Sequence, residues 1–253
     1  MTQTQKQTGT QTHTKKEKKI EIRGYLSQSA WLSYLRKGGT LPYTTANRYI
    51  YEAVEYRELL YTTDELKEQF PGVFENPGLP LVLDVGCYYG DTLVELAQHN
   101  PRINVLGLDI KYKRVVKSSR KIIKSNFPNA RVALCDIMDL MPLLKEHSVA
   151  AIFIFFPDPW TKKRHHRYRY IDETFLRDAL SRLRPDGVIW LKSDHKEYYD
   201  EIKEFVLGEP GFRIVENLPG EIVPRPYPTI FEGVFLRQDI PIYQVMIGPA
   251  EKA

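Results

Sequence analysis

The sequence predicts an α/β protein whose parallel sheet carries helices on both faces. Three observations predict it. From residue 81 onward, short β-branched and apolar runs alternate with segments of helical periodicity. The run 149–156 (Val-Ala-Ala-Ile-Phe-Ile-Phe-Phe) is apolar throughout, as a strand buried on both faces requires. Acids also stand where the first three of these strands end, at Asp84, Asp109 and Asp136, and open α/β sheets bind ligands at that edge.

Taken in order, residues 1–19 are Thr, Gln and Lys with almost nothing apolar. They cannot bury enough surface to offset the entropy of ordering and are expected to be a disordered polar tail. Without an apolar core segment, this stretch is not expected to be a secretory signal. Residues 20–78 form an N-terminal, aromatic-rich helical extension, with Tyr25, Trp31, Tyr34, Tyr43, Tyr49, Tyr51 and Tyr56. Such aromatics are more often core than stacking surface. Ile50, Ala53, Val54 and Leu60 predict one helix over 45–60. Pro71-Gly72 and Asn76-Pro77-Gly78 punctuate the passage to a main domain at 79–253. There, strands are expected at 81–85, 103–108, 131–134, 149–156, 187–191, 213–215 and 240–247. Helices are expected at 91–99, 113–126, 173–183 and 196–207, with a weaker one near 137–145. Right-handed crossovers should join the parallel strands.

The 253 residues carry a formal net charge of +4 and 42% hydrophobic residues, enough for a sizeable core. Cys87 and Cys135 are far apart and lack metal-ligand spacing. They are expected to be small buried hydrophobes, with no disulfide framework and no metal site, and they fit a reducing compartment such as the cytoplasm. No apolar run reaches membrane-spanning length.

The loop Asp84-Val85-Gly86-Cys87-Tyr88-Tyr89-Gly90 joins the first main-domain strand to its helix. Gly86 lets the backbone pass close to a ligand, and Asp109, twenty-three positions later, suits the two hydroxyls of a ribose. Asp136 could accept from an exocyclic amine. A dinucleotide needs a glycine cradle for pyrophosphate, whereas here Cys87, Tyr88 and Tyr89 stand in its place. A carboxylate-rich pocket without a phosphate cradle suits S-adenosylmethionine, a sulfonium bearing an amino group, better than NAD.

Phe156-Pro157-Asp158-Pro159-Trp160 ends the apolar strand, and its two prolines stiffen the exit so that Asp158 sits at the sheet edge. Thr161 to Tyr170 then supply Lys162, Lys163, Arg164, Arg167 and Arg169, with His165, His166 and no acid. A basic aromatic ribbon beside a fixed carboxylate suggests chemistry on a nucleic acid, its cations holding phosphates. With no third ligand at suitable spacing, the two histidines are expected to be RNA contacts or surface.

These residues resemble the tRNA (guanine-N7-)-methyltransferases. Phe156-Pro157-Asp158-Pro159-Trp160 with Lys162-Lys163-Arg164-His165-His166 is a specific signature of that family, supported by Ser193-Asp194, Pro228-Thr229-Ile230-Phe231-Glu232 and Pro241-Ile242-Tyr243. The resemblance covers roughly residues 80–245. It implies a Rossmann-like methyltransferase fold, with a mostly parallel seven-stranded sheet whose last strand is antiparallel. It also implies methyl transfer from S-adenosylmethionine to N7 of the variable-loop guanine of tRNA. By position, Asp158 would be the catalytic acid and touch the cofactor together with Asp84, Gly86, Asp109 and Asp136. Lys162, Asp194, Thr229, Phe231 and Glu232 would contact the substrate. Three positions depart from the family pattern: Asp84 replaces a Glu, Tyr88 a glycine and Ile230 a lysine. Two other readings remain open on the residues alone: a methyltransferase of this fold with another substrate, and an RNA-binding homologue without turnover.

Overall fold

The computed structural model describes residues 28–40, 48–161, 164, 169, 171–227 and 229–250. The expected polar tail lies outside them. Before the main domain come α1 (Gln28–Arg36), α2 (Arg48–Glu55), β1 (Leu60–Thr62) and α3 (Thr63–Gln69). The main alternation follows: β2 (Leu81–Val85), α4 (Asp91–His99), β3 (Asn104–Asp109), α5 (Tyr112–Ser125), β4 (Ala130–Leu134) and α6 (Ile137–Leu140), which runs into a 3-10 turn. Then come β5 (Val149–Phe155), α7 (Glu173–Arg182), β6 (Leu183–Ser193), α8 (Lys196–Gly208), β7 (Phe212–Val215), α9 (Ile230–Arg237) and β8 (Tyr243–Pro249).

The described strands form one sheet in the order β1-β4-β3-β2-β5-β6-β8-β7. All neighbours are parallel except β8, which runs antiparallel to both β6 and β7. The last strand is therefore antiparallel, as expected, but the sheet has an eighth strand. Leu60–Thr62 pairs with Val132–Leu134 and extends the edge. This corrects the expected 45–60 helix, which ends at Glu55. Leu60 is buried, but its burial comes from the sheet. Helical spacing of apolar positions cannot distinguish a helix face from a helix followed by a short strand.

Alternation along the strands divides the core. In β2, Leu81, Leu83 and Val85 face the layer of α3, α6, α7 and α8. Val82 faces the layer that contains α1, α2, α4 and α5. Central strands β2 to β5 are buried at every position, which explains their unbroken apolar runs. Arg36 ties the extension together from within. Its guanidinium donates to the carbonyls of Ala53 (2.7 Å) and Leu60 (2.8 Å) and pairs with Glu65. Burial lowers its pKa, which the Glu65 charge partly offsets.

Thr62 starts α3 with a reciprocal cap. Its hydroxyl accepts from Glu65 N, and the Glu65 carboxylate accepts from Thr62 N (2.8 Å). Ser33 also donates to the Thr62 hydroxyl at 2.8 Å, linking α1 to the cap. Thr62→Ala is therefore expected to cost about 1–2 kcal/mol in urea unfolding. A loss near zero would show that the cap carries no stability.

Candidate active site

β2 to β6 all end at one edge of the sheet, and a cleft of about 290 Å³ opens there. β2, β3 and their loops supply Val85, Gly86, Tyr88, Leu108 and Asp109; the segment after β4 supplies Cys135 and Asp136; the segment after β5 supplies Phe156, Pro157, Asp158 and Trp160. Phe231 of α9 closes one side. The cleft thus brings together Gly86, Asp109, Asp136, Asp158 and Phe231. Asp84 and Thr229 lie in a smaller adjoining chamber that shares Gly86, Tyr88 and Phe231. Two other clefts of 320 and 310 Å³ gather no such strand-end carboxylates.

Asp84 is 3% exposed, and its Oδ2 is buried without a hydrogen-bond partner. Burial, aided by the charges of Asp109 and Asp91, pushes its carboxyl up to about 7, against one stabilising bond from the Leu93 backbone. An acceptor left in this state suits an incoming cation or N–H donor. Gly86 lies beside it at φ +75° with nothing near its missing Cβ, so the loop leaves room for a ligand.

Asp109 is committed more fully. It accepts from Lys111 N at 3.0 Å and from Arg114 Nη1 at 3.2 Å. Burial still raises its pKa above the ordinary carboxylate range, with Arg114 acting the other way. Asp136 caps α6 by accepting from Met138 N at 3.0 Å and stays exposed at the cleft. Asp158 is exposed between half-buried Phe156 and Trp160, which is 39% exposed. Both aromatics have positive φ, 55° and 44°, unusual for bulky residues and a mark of a loop held by its surroundings. The Phe156 N–H donates to Lys192 O at 2.8 Å, which anchors the loop to β6.

The substrate-side residues of the sequence reading fall in several places. Lys162 lies outside the described residues, as do Lys163, His165, His166 and Arg167. Asp194 is half-buried at the β6–α8 turn. Thr229 caps α9 by accepting from Glu232 N at 3.0 Å. The Glu232 carboxylate pairs with Lys192 Nζ at 3.0 Å. Arg169 requires a correction, because it does not serve as a free phosphate clamp. Its side chain is 6% exposed, donates to Pro159 O (2.7 Å), pairs with Glu201 and lies over the Tyr198 ring. Sequence proximity to a basic run concealed a guanidinium that braces the loop from below.

Sequence reading also missed Lys192. This lysine is 2% exposed; it donates to Pro226 O (2.8 Å) as well as to Glu232 and lies under the Phe155 and Trp190 rings. Burial lowers its pKa, while Glu232 opposes that. A lone Lys inside the apolar run Val188–Leu191 to Ser193 was the available signal, since a buried lysine must be paired. Lys192 helps place the segment before α9. The ties from Asn100 to Val223 N (2.7 Å) and to the Tyr227 hydroxyl (2.8 Å) do the same. Tyr88 sits at φ 51°, the conformation for which glycine is suited. Its ring stacks on Tyr89 at 3.9 Å and meets Phe231 at 4.9 Å. Both cysteines are free and buried, and burial raises both thiol pKa values, that of Cys135 to about 12.

The family described as "Putative methyltransferase" matches residues 79–244. A tRNA (guanine-N(7)-)-methyltransferase of Ureaplasma urealyticum is 34% identical over 61% of this chain and 69% of its own. The chain belongs to the tRNA (guanine-N7-)-methyltransferase family. Enzymes of the same description from Dechloromonas aromatica and Rubrobacter xylanophilus are each 30% identical. The first aligns over 77% of this chain and 76% of its own, the second over 69% and 78%. Family membership makes the protein a methyltransferase, and the strand-end cleft holds Phe156, Pro157, Asp158 and Trp160 of the signature next to Asp109 and Asp136.

The raised pKa of Asp84 has a signed consequence for stability. Its folded-state value of about 7 lies above that of an unfolded Asp, so the folded state binds the extra proton between about pH 4 and pH 7. The contribution of Asp84 is fully favourable below that window and is lost as pH rises through it. Asp84→Asn, which cannot ionise, is expected to melt on the order of 5 °C or more above wild type at pH 8. That advantage should shrink towards zero near pH 4. A melting difference independent of pH would contradict the assignment.

Proposed function

We propose that the protein transfers a methyl group from S-adenosylmethionine to N7 of the variable-loop guanine of tRNA. The observation that carries this reading is the meeting, in one cleft, of Asp158 and Trp160 from the signature loop with Gly86, Asp109 and Asp136 from the strand ends. We read residues 1–19 as a polar tail, 20–78 as an extension and 79–253 as the methyltransferase domain. Among the described residues no helix is long and apolar enough to cross a membrane.

The residues present fit such a cofactor. The unpartnered Asp84 oxygen would answer its ammonium and Gly86 would give the close approach, while Asp109 and Asp136 would accept from its ribose hydroxyls and adenine amine. When bound, the cofactor supplies an electrophilic methyl group on a sulfonium. Guanine N7 carries a lone pair at neutral pH, so no side chain need remove a proton to make it nucleophilic. The chain's main contribution is alignment. Methylation leaves positive charge on the base, which the Asp158 carboxylate stabilises from the cleft wall.

Asp194 and Glu232 act as acceptors towards the donor edge of guanine, which favours guanine over adenine. Lys192 holds Glu232 in place for this, so Glu232 acts as the partly buried arm of an ion pair and not as a free surface carboxylate. Thr229 and Phe231 shape the same side, Thr229 by fixing the start of α9 and Phe231 by its ring. In A-form RNA the N7 edge lies in a deep, narrow groove, so the base must be unpaired or extruded. Trp160 stands at the rim where such a base would stack. Lys162, Lys163, Arg164 and Arg167 hold phosphates.

The test is a methyl-transfer assay with purified protein, labelled S-adenosylmethionine and unmodified tRNA, with the nucleosides identified by mass. N7-methylguanosine is expected. In Asp158→Ala, kcat should fall by about two orders of magnitude or more, with tRNA affinity changed far less. Cofactor binding without any methyl gain in tRNA would move the search to another RNA or to a binding role. Equal losses of rate and affinity in Asp158→Ala would remove its assigned role.

A further inference from the structure

Helix α5 carries Lys113, Arg114, Lys117, Arg120, Lys121 and Lys124 and not one acidic residue. Its buried side is formed by Tyr112, Val115, Val116, Ser119 and Ile122. Lys113, Lys117, Arg120, Lys121 and Lys124 recur at intervals of four, three, one and three residues, so they share the opposite face. That face is exposed or half-buried along its whole length. At 1.5 Å per residue it runs roughly 16 Å from Lys113 to Lys124, long enough to meet several consecutive phosphates.

The charge on this face is only partly neutralised. Arg114 pairs with Asp109, Arg120 with Glu52 and Lys121 with Asp91. Among the described residues, Lys113, Lys117 and Lys124 take part in no ion pair. The mouth end is aromatic as well as basic. Lys117 Nζ lies 3.8 Å from the centre of the Tyr89 ring, and Arg114 lies 5.0 Å from that of Tyr88. Tyr88 and Tyr89 are themselves stacked. Cations interleaved with stacked rings form the kind of surface that tracks a nucleic-acid backbone beside unpaired bases.

Position strengthens the case. α5 begins just after Asp109, so Tyr88 and Arg114 line the cleft wall, with Lys117 one turn further on over the Tyr89 ring. Asp158 and Trp160 come from the β5 loop. The basic segment that follows Trp160 has one cation fewer than its sequence suggests, because Arg169 is consumed in the ion pair with Glu201.

We propose that the outer face of α5, with Tyr88 and Tyr89 at its mouth end, is a second contact surface for the phosphate backbone of the RNA substrate. This rests on the RNA methyl-transfer reading above and adds a surface to it. RNA would then be held on both sides of the cleft, with the signature loop on one side and α5 leading away on the other. The three lysines without ion pairs supply the charge. The Tyr88–Tyr89 stack offers a platform for a base next to the target.

The test measures tRNA affinity and methylation kinetics of the full chain across a range of salt concentrations. Wild type is compared with Lys113→Gln/Lys117→Gln/Lys124→Gln, and with Lys145→Gln as a single-charge control at an exposed position ahead of β5. The logarithmic salt dependence of the triple variant should be shallower by about two to three units, with KM for tRNA raised on the order of tenfold. Its affinity for S-adenosylhomocysteine, which reports a folded cleft, should be unchanged, and Lys145→Gln should match wild type. Should the triple variant fold poorly, Lys113→Gln and Lys124→Gln alone should each lower the slope by about one unit. A wild-type protein that methylates tRNA, beside variants of unchanged slope and KM, overturns this proposal alone. A wild-type protein that neither binds nor methylates tRNA overturns the function reading with it.

Discussion

The constraint on which the site depends is parallel pairing. β4, β3, β2, β5 and β6 run the same way, so their carboxyl ends lie along one edge and whatever follows each strand is delivered to that edge. Asp84, Asp109, Asp136, Asp158 and Asp194 are distant in sequence and are gathered by this alone. The cost is like charge at close quarters. Asp84 and Asp109 are both desolvated, and the Asp109 charge adds to the difficulty of ionising Asp84. Arg114 relieves Asp109 at 3.2 Å, but among the described residues nothing comparable reaches Asp84 Oδ2. The acid left unrelieved is the one best suited to a cationic ligand, so the same desolvation that weakens the fold at neutral pH prepares the site.

The substrate side is organised differently, by a chain of anchors that converges on Lys192. Its backbone carbonyl fixes Phe156, and its ammonium holds Pro226 O and Glu232 while lying over the rings of Phe155 and Trp190. A single residue thus couples the signature loop to the start of α9. Helix α9 needs that coupling, since none of its residues is buried. Phe231 touches Tyr88, and Phe235 touches Phe156, so its aromatic contacts bear on the cleft loops and not on the core of the sheet. A lysine here is costly to bury, and the Glu232 pair makes it tolerable while fixing the direction of the carboxylate.

How much of this was legible in the sequence depended on the kind of interaction. The apolar run 149–156 and the Asp at each strand end could be read because strand periodicity and edge placement are local properties. The pairing of β1 with β4 was not legible, since Leu60-Tyr61-Thr62 is too short to show alternation and its partner lies seventy residues away. Arg169 was misread for a related reason. A basic run looks uniform in sequence, and only the position of Glu201, near the start of α8, reveals that the Arg169 guanidinium is buried in an ion pair. Lys192 stood out as a charge in an apolar strand, but its partner Glu232 is forty residues on. Long-range pairs of charges are the part of the site that one-dimensional patterns do not carry.

Backbone strain follows the same division. Of the seven non-glycine residues at positive φ among the described residues, three line the cleft: Tyr88, Phe156 and Trp160. Each is bulky, so each conformation must be held by contacts stronger than its own preference. Tyr88 is held by the Tyr89 stack, the Phe231 ring and Arg114 overhead, and Phe156 by the Lys192 carbonyl and Phe235. A glycine at position 88 would relax the loop but remove a ring that lines both the Asp84 chamber and the main cleft. The tyrosine therefore trades local backbone comfort for a ring that lines both halves of the site.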